Sequence, residues 1–128
     1  MQKILIVEDE DLMFEIYEHA LEKQGYEVLR AKDGIEALAM ISSNKPDLIL
    51  TDLLMPNMSG FELVRRLHEM KANIPTIVAT ALGALEPDQM NELSDNGVSG
   101  ISFKPTNMRE INIQLERAKR RFNGQQER

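Results

Sequence analysis

With 128 residues the chain can form one domain with a sizeable core, and 42% apolar with 28% charged residues is the balance of an ordinary globular protein. A net charge of −6 argues against a broad surface for nucleic-acid phosphates, and the lack of cysteine removes disulfides, thiol nucleophiles and thiolate metal sites. No apolar stretch approaches a membrane span and no signal-peptide pattern opens the chain, so a cytoplasmic protein without membrane or direct nucleic-acid partners is expected.

Ile4-Leu5-Ile6-Val7 reads as a buried strand, followed by four acidic residues, Glu8 to Asp11. Met13, Ile16, Tyr17, Ala20 and Leu21 recur at helical spacing, with Phe14 beside that stripe as a candidate exposed anchor for a partner protein, and Gly25 stops the helix. Residues 27–31 form a second strand candidate. Asp33 and Gly34 lead into a helix with Ile35, Leu38, Ala39 and Ile41 apolar, broken by Asn44 and Pro46. The third strand, residues 47–51, carries Leu48, Ile49 and Leu50 in an unbroken run, as a strand buried on both faces should. Asp52 stands where it opens into the turn chemistry of Pro56, Asn57 and Gly60.

Ser59 suits the N-cap of a helix carrying Phe61, Leu63, Val64 and Leu67. Pro75 precedes a fourth strand, residues 76–80. Pro87 opens a helix with Met90 and Leu93, ending near Asn96-Gly97. Residues 99–103 form a fifth strand. Thr106 can cap a last helix with Met108, Ile111, Leu115, Ala118 and Phe122 on one stripe. The basic residues Arg117, Lys119, Arg120, Arg121 and Arg128 complement that helix's C-terminal end. A single domain is expected over residues 1–123, with a frayed polar tail at 124–128 and no attached output module.

Five strands alternating with five helices indicate an α/β protein with a parallel sheet covered on both faces. Such sheets bind ligands at the C-terminal edge of the strands. Glu8 and Asp9 follow the first strand, Asp52 ends the third, Thr80 ends the fourth and Lys104 follows the fifth. Carboxylates crowded together repel unless a cation joins them, and an oxygen-only donor set suits Mg²⁺. A lysine nearby offers a point charge for a phosphoryl oxygen, and a carboxylate beside a metal can attack phosphorus to give an aspartyl phosphate. His19 and His68 lack matching ligands and read as surface residues.

Four segments together resemble the two-component response-regulator receiver domain, in its stand-alone, chemotaxis-regulator-like form. They are Ile4-Leu5-Ile6-Val7-Glu8-Asp9-Glu10, Asp47-Leu48-Ile49-Leu50-Thr51-Asp52-Leu53-Leu54-Met55-Pro56, Pro75-Thr76-Ile77-Val78-Ala79-Thr80-Ala81 and Phe103-Lys104-Pro105. The resemblance implies a flavodoxin-like doubly wound sheet of order 2-1-3-4-5. It implies that Asp52 accepts a phosphoryl group from a sensor histidine kinase or phosphotransfer protein. Thr80 and Lys104 would contact that group, and Glu8, Asp9, Asp52 and the backbone carbonyl of Leu54 would hold Mg²⁺. The Lys104-Pro105 bond would often be cis. Protein partners would read the phosphorylated state, with room for a phosphorylation-dependent dimer. Such a protein modifies itself and is not a turnover enzyme.

Two departures stand out. The family commonly has an aromatic residue three positions before the lysine, where this chain has Ile101, and the connection from Thr80 to Lys104 is longer than common, around residues 83–87. In the family, the residues two after the acceptor and two after the threonine border the path of the hydrolytic water. Here they are Leu54 and Leu82, which cannot orient a water. Two other functions compete with the receiver reading. A phosphorylation-independent interaction module would keep the fold without the switch, and Ile101 sustains that alternative. A flavin-binding protein of the same architecture would need a neutral phosphate loop where Glu8 to Asp11 stand. Phosphoryl uptake from acetyl phosphate separates them.

Overall fold

The runs Lys3–Val7, Leu48–Thr51 and Thr76–Thr80 lie side by side at the centre because each is buried on both faces and can be so only inside a sheet. The computed structural model describes residues 2–104 and 107–126, with side chains described as far as Arg121. Strands β1 (Lys3–Val7), β2 (Glu27–Ala31), β3 (Leu48–Thr51), β4 (Thr76–Thr80) and β5 (Gly100–Phe103) form one parallel sheet in the order β2-β1-β3-β4-β5. They alternate with helices α1 (Asp11–Lys23), α2 (Gly34–Asn44), α3 (Gly60–Glu69), α4 (Pro87–Asp95) and α5 (Met108–Gln126). The flavodoxin-like order expected from the sequence is therefore the one observed. No helix among the described residues is long and apolar enough to cross a membrane.

Alternation along the central strands divides the core between the two sheet faces. Ile4, Ile6, Leu48, Leu50, Ile77 and Ala79 meet Phe14, Tyr17 and Leu21 of α1 and Ile111, Leu115 and Ala118 of α5. Leu5, Val7 and Ile49 meet Ala37 and Ile41 of α2 and Leu63 and Leu67 of α3. A third cluster, Leu53, Val64, Val78 and Leu93, joins α3 and α4, with Leu82 and Ile101 packed against it. Each Leu or Ile wholly withdrawn from water contributes about 1.5–3 kcal/mol before chain entropy is set against it.

Helix phase differs from the sequence expectation at several points. In α1 the buried side is Phe14, Tyr17 and Leu21, while Leu12 and Ile16 are 72% and 48% exposed. Phe14 is thus core and not a docking anchor. The α1 sequence offers two apolar stripes at helical spacing, and the sheet selects the one that reaches Ile6 and Leu50. Ile35 and Met90 likewise face outward, whereas Ala37, Ile41 and Leu93 are buried. Ser99 precedes β5 and ties its N–H to the Thr76 carbonyl (2.8 Å). Asp47 lies just outside β3, where its Oδ2 accepts the Lys3 N–H (2.8 Å).

Caps set the helix starts. Asp33 Oδ1 accepts the Glu36 N–H (2.9 Å) and Ser59 Oγ the Glu62 N–H (3.2 Å). At α5, Asn107 Oδ1 accepts the Glu110 N–H (2.9 Å), so Asn107 performs the capping expected of Thr106. Thr106, and Pro105 with its expected cis bond, lie outside the described residues, as does the side chain of Phe122. The backbone of α5 continues to Gln126, beyond the point where the polar tail was expected to begin.

Candidate functional site

Strand register gathers the polar residues. Val7 pairs with Thr51 and Thr80 with Phe103, so the next residues, Glu8, Asp52 and Lys104, emerge together at the C-terminal edge of the sheet. The ladder extends slightly past the strands: Glu8 N–H donates to the Ala31 carbonyl (3.0 Å), Asp52 N–H to the Val7 carbonyl (3.2 Å) and Lys104 N–H to the Thr80 carbonyl (2.6 Å). These bonds fix three main-chain positions before any side chain is considered.

The Lys104 ammonium lies 2.9 Å from Glu8 Oε1 and 3.0 Å from Asp52 Oδ2. Glu8 is 1% exposed and Asp52 8%, so one ammonium serves two nearly buried carboxylates. Burial pushes the Glu8 carboxyl above its ordinary value, and the bond from Lys104 only partly opposes this. Burial alone would depress Lys104, but its hydrogen bonds to Glu8 and Asp52 outweigh it and hold the ammonium above its ordinary value. The lysine therefore stays charged through neutral pH.

Asp52 is held by its other oxygen as well. Its Oδ1 accepts N–H groups from Leu53 (2.6 Å) and Leu54 (3.3 Å). Leu54 thus presents its N–H to Asp52. The turn beyond is pulled back onto the strand by the Gly60 N–H, which donates to the Leu53 carbonyl (2.9 Å). A Cβ on Gly60 would overlap the Asp52 carbonyl oxygen and come within 2.8 Å of the Leu53 Cα, so only glycine lets α3 start this close to the end of β3. Asn57 Nδ2 donates to Asp33 Oδ2 (2.7 Å), tying the same turn to the start of α2. That hydrogen bond, followed by the one from the Glu36 N–H, holds the Asp33 carboxyl below its ordinary value.

The other expected residues take different places. Thr80 is fully buried, and its hydroxyl accepts the Leu82 N–H (3.2 Å). Asp9 is exposed beside Glu8. Among the described residues, no group of three His, Cys, Asp or Glu side chains is arranged to hold a metal ion. Glu8 and Asp52 nevertheless converge on one cationic atom, as a divalent ion also requires, and the donors are oxygen only. Their chemistry fits Mg²⁺, which accepts few protein oxygens and keeps its waters. His19 and His68 are exposed, as expected. Sequence reasoning did not single out Arg30 or the Asp33–Asn57 tie. The tie had a signal in the turn-forming Asp33 and Asn57, but their pairing depends on the fold.

Comparison with known proteins agrees with this geometry. Residues 4–116 match the family described as the response regulator receiver domain. The alkaline phosphatase synthesis transcriptional regulatory protein PhoP of Bacillus subtilis is 35% identical over 120 residues, 94% of this chain and 49% of the relative. The phosphate regulon transcriptional regulatory protein PhoB of Pseudomonas aeruginosa is 42% identical over 92% of this chain and 52% of its own length. The chain therefore spans about half of those two relatives. It matches 87% of sporulation initiation phosphotransferase F of Bacillus subtilis, at 34% identity over 86% of this chain. Among solved structures, a CheY-like receiver domain protein from Methanospirillum hungatei superposes with a TM-score of 0.84 at 28% identity, covering 99% of this chain and 98% of that one.

Proposed function

The chain belongs to the response regulator receiver family, which accepts phosphoryl groups in two-component signalling, and on that premise we propose that Asp52 is the acceptor carboxylate of this protein. The observation that carries the assignment is the Lys104 ammonium 3.0 Å from Asp52 Oδ2. With Oδ1 held by two backbone N–H groups, Oδ2 is the oxygen that attacks. An oxygen–phosphorus bond forms at Oδ2 as the bond from phosphorus to the donor's leaving group breaks. Lys104 then turns from the carboxylate to a phosphoryl oxygen, and the Thr80 hydroxyl supplies a second contact. Glu8, Asp9, Asp52 and the Leu54 carbonyl would hold Mg²⁺, which when bound neutralises the phosphoryl oxygens.

The donor in this reading is a sensor histidine kinase or a phosphotransfer protein in the cytoplasm, and a protein partner reads the product. The protein modifies itself and does not turn over a separate substrate. Incubation with Mg²⁺ and acetyl phosphate should add one phosphoryl group by intact mass, and omission of Mg²⁺ should prevent it. No gain with Mg²⁺ present would contradict the proposal and favour the interaction module.

Docking of a protein donor falls to the apolar side chains left exposed near the site, Leu12 and Ile16 on α1 and Leu54 after Asp52. The double variant Leu12→Asp, Ile16→Asp should slow transfer from a protein donor at least tenfold, the loss expected when about 1.4 kcal/mol of contact is removed. Labelling by acetyl phosphate should keep its rate. Equal slowing with both donors would place these residues in the fold instead.

The phosphoryl group should be lost slowly. Leu54 is exposed beside Asp52 and cannot hydrogen-bond a water, whereas Leu82 leans away into the cluster of Leu53 and Val78. Leu54 is therefore the stronger barrier. Orienting a nucleophile can change a rate by on the order of a hundredfold. Leu54→Asn should speed phosphoryl loss by up to that factor and Leu82→Glu by less, followed as decay of the labelled species. Fast decay of the unaltered protein would show that Leu54 does not limit the water.

A further inference from the structure

The acidic turn after β1 is held from outside by Arg30, a residue of β2 that no step above uses. Arg30 Nε and one terminal guanidinium nitrogen donate to the Glu8 carbonyl at 3.3 and 3.2 Å. The same terminal nitrogen lies 2.8 Å from Asp11 Oδ1. The guanidinium carbon sits 4.5 Å from the centre of the Phe14 ring, and that ring is core. Arg30 thus grips both ends of the stretch Glu8 to Asp11 and is braced from below by a buried side chain.

The grip fixes two different things. Glu8 is anchored through its main chain by Arg30 and through its carboxylate by Lys104 and by the Glu10 N–H, which donates to Oε2 (3.2 Å). Asp11 is anchored at the first residue of α1. Asp9 lies between the two anchors, on a backbone with both ends tied. Planar guanidinium is suited to this, because its fork reaches a carbonyl and a carboxylate at once while one face stacks on an aromatic ring.

We propose that Arg30 is a positioning residue for the cation site. It holds the Glu8–Asp11 turn in the shape that lets Glu8 and Asp9 take Mg²⁺ together. The inference rests on the Mg²⁺ set proposed above. Arg30 meets the ion only through the turn, and the direction of its effect separates positioning from charge. A positive charge near a cation site weakens cation binding by Coulomb repulsion, so removing it should tighten binding if charge is all that matters. If the grip matters more, removing it weakens binding despite the more negative turn. Groups that orient metal ligands are typically worth about 10–100-fold in affinity.

The test is an Mg²⁺ titration of the full chain, followed by backbone amide shifts of residues 8–11, for the unaltered protein, Arg30→Met and Arg30→Lys. Arg30→Met keeps an apolar stem over Phe14 and removes the fork, and the amide shifts of β3 and β4 report whether the fold is kept. Weaker binding by about tenfold is expected for Arg30→Met. Arg30→Lys should stay weakened, because an ammonium restores the charge without the fork. Unchanged or tighter binding in Arg30→Met, or full recovery in Arg30→Lys, would overturn the proposal. No saturable Mg²⁺ binding by the unaltered protein would instead overturn the metal assignment on which it rests.

Discussion

Lys104→Met should slow phosphoryl uptake from acetyl phosphate by about 10²–10³-fold, the usual loss when one group aimed at transition-state charge is removed. The same change should destabilise the Mg²⁺-free protein. Glu8 and Asp52 share this ammonium, and both are nearly buried. Removing one partner of such a set leaves an uncompensated charge and costs about 3 kcal/mol. For a domain of this size that is a fall of roughly 10 °C in Tm. Burial already raises the Glu8 carboxyl with Lys104 in place, and without it the rise is larger. A carboxyl whose folded pKa lies above its unfolded one stabilises the fold at acid pH, and that stability is lost as pH rises through the folded pKa. The variant's deficit should therefore be smaller near about pH 5 than near about pH 8. Mg²⁺ should recover part of it by again compensating the two carboxylates. A thermal scan at both pH values, with and without Mg²⁺, checks each part. A deficit independent of pH and metal would mean that Lys104 contributes packing alone.

The strands that carry the site were legible because burial on both faces leaves a plain trace. Ile4-Leu5-Ile6-Val7 and Leu48-Ile49-Leu50 can only be interior, and a charged residue that closes a parallel strand must stand at the sheet's edge. That reasoning placed Glu8, Asp52 and Lys104 at one edge, and the register of β1, β3, β4 and β5 brings them together. Helix phase was less legible. In α1 the sets Met13, Ile16, Tyr17, Ala20, Leu21 and Phe14, Tyr17, Leu21 both have helical spacing and share Tyr17 and Leu21, and only the sheet beneath decides that Phe14 is buried and Ile16 is not.

The interactions that shape the site were less legible still. Arg30 makes two of its hydrogen bonds to a backbone carbonyl, a group that every residue carries. Gly60 looks like turn chemistry, and its closeness to the Asp52 carbonyl appears only when α3 is laid against β3. The sequence also brought acidic residues together as a cation site without showing that a lysine of the same chain compensates two of them.

The residue assignment at the centre of this account is tested most directly by Asp52→Asn. Asparagine has nearly the shape of aspartate but no nucleophilic carboxylate. Its amide cannot accept from both the Lys104 ammonium and the Leu53 and Leu54 N–H groups, because one of its two ends is a donor. The mismatch costs about 1–3 kcal/mol, against a total stability of about 5–15 kcal/mol for a typical domain, so the variant should remain folded. The measurement is intact mass after incubation with Mg²⁺ and acetyl phosphate, for the unaltered protein and Asp52→Asn side by side, with circular dichroism to confirm that both are folded. One added phosphoryl group is expected on the unaltered protein and none on Asp52→Asn. Equal labelling of the two would contradict the assignment, because the phosphoryl group would then reside on another residue.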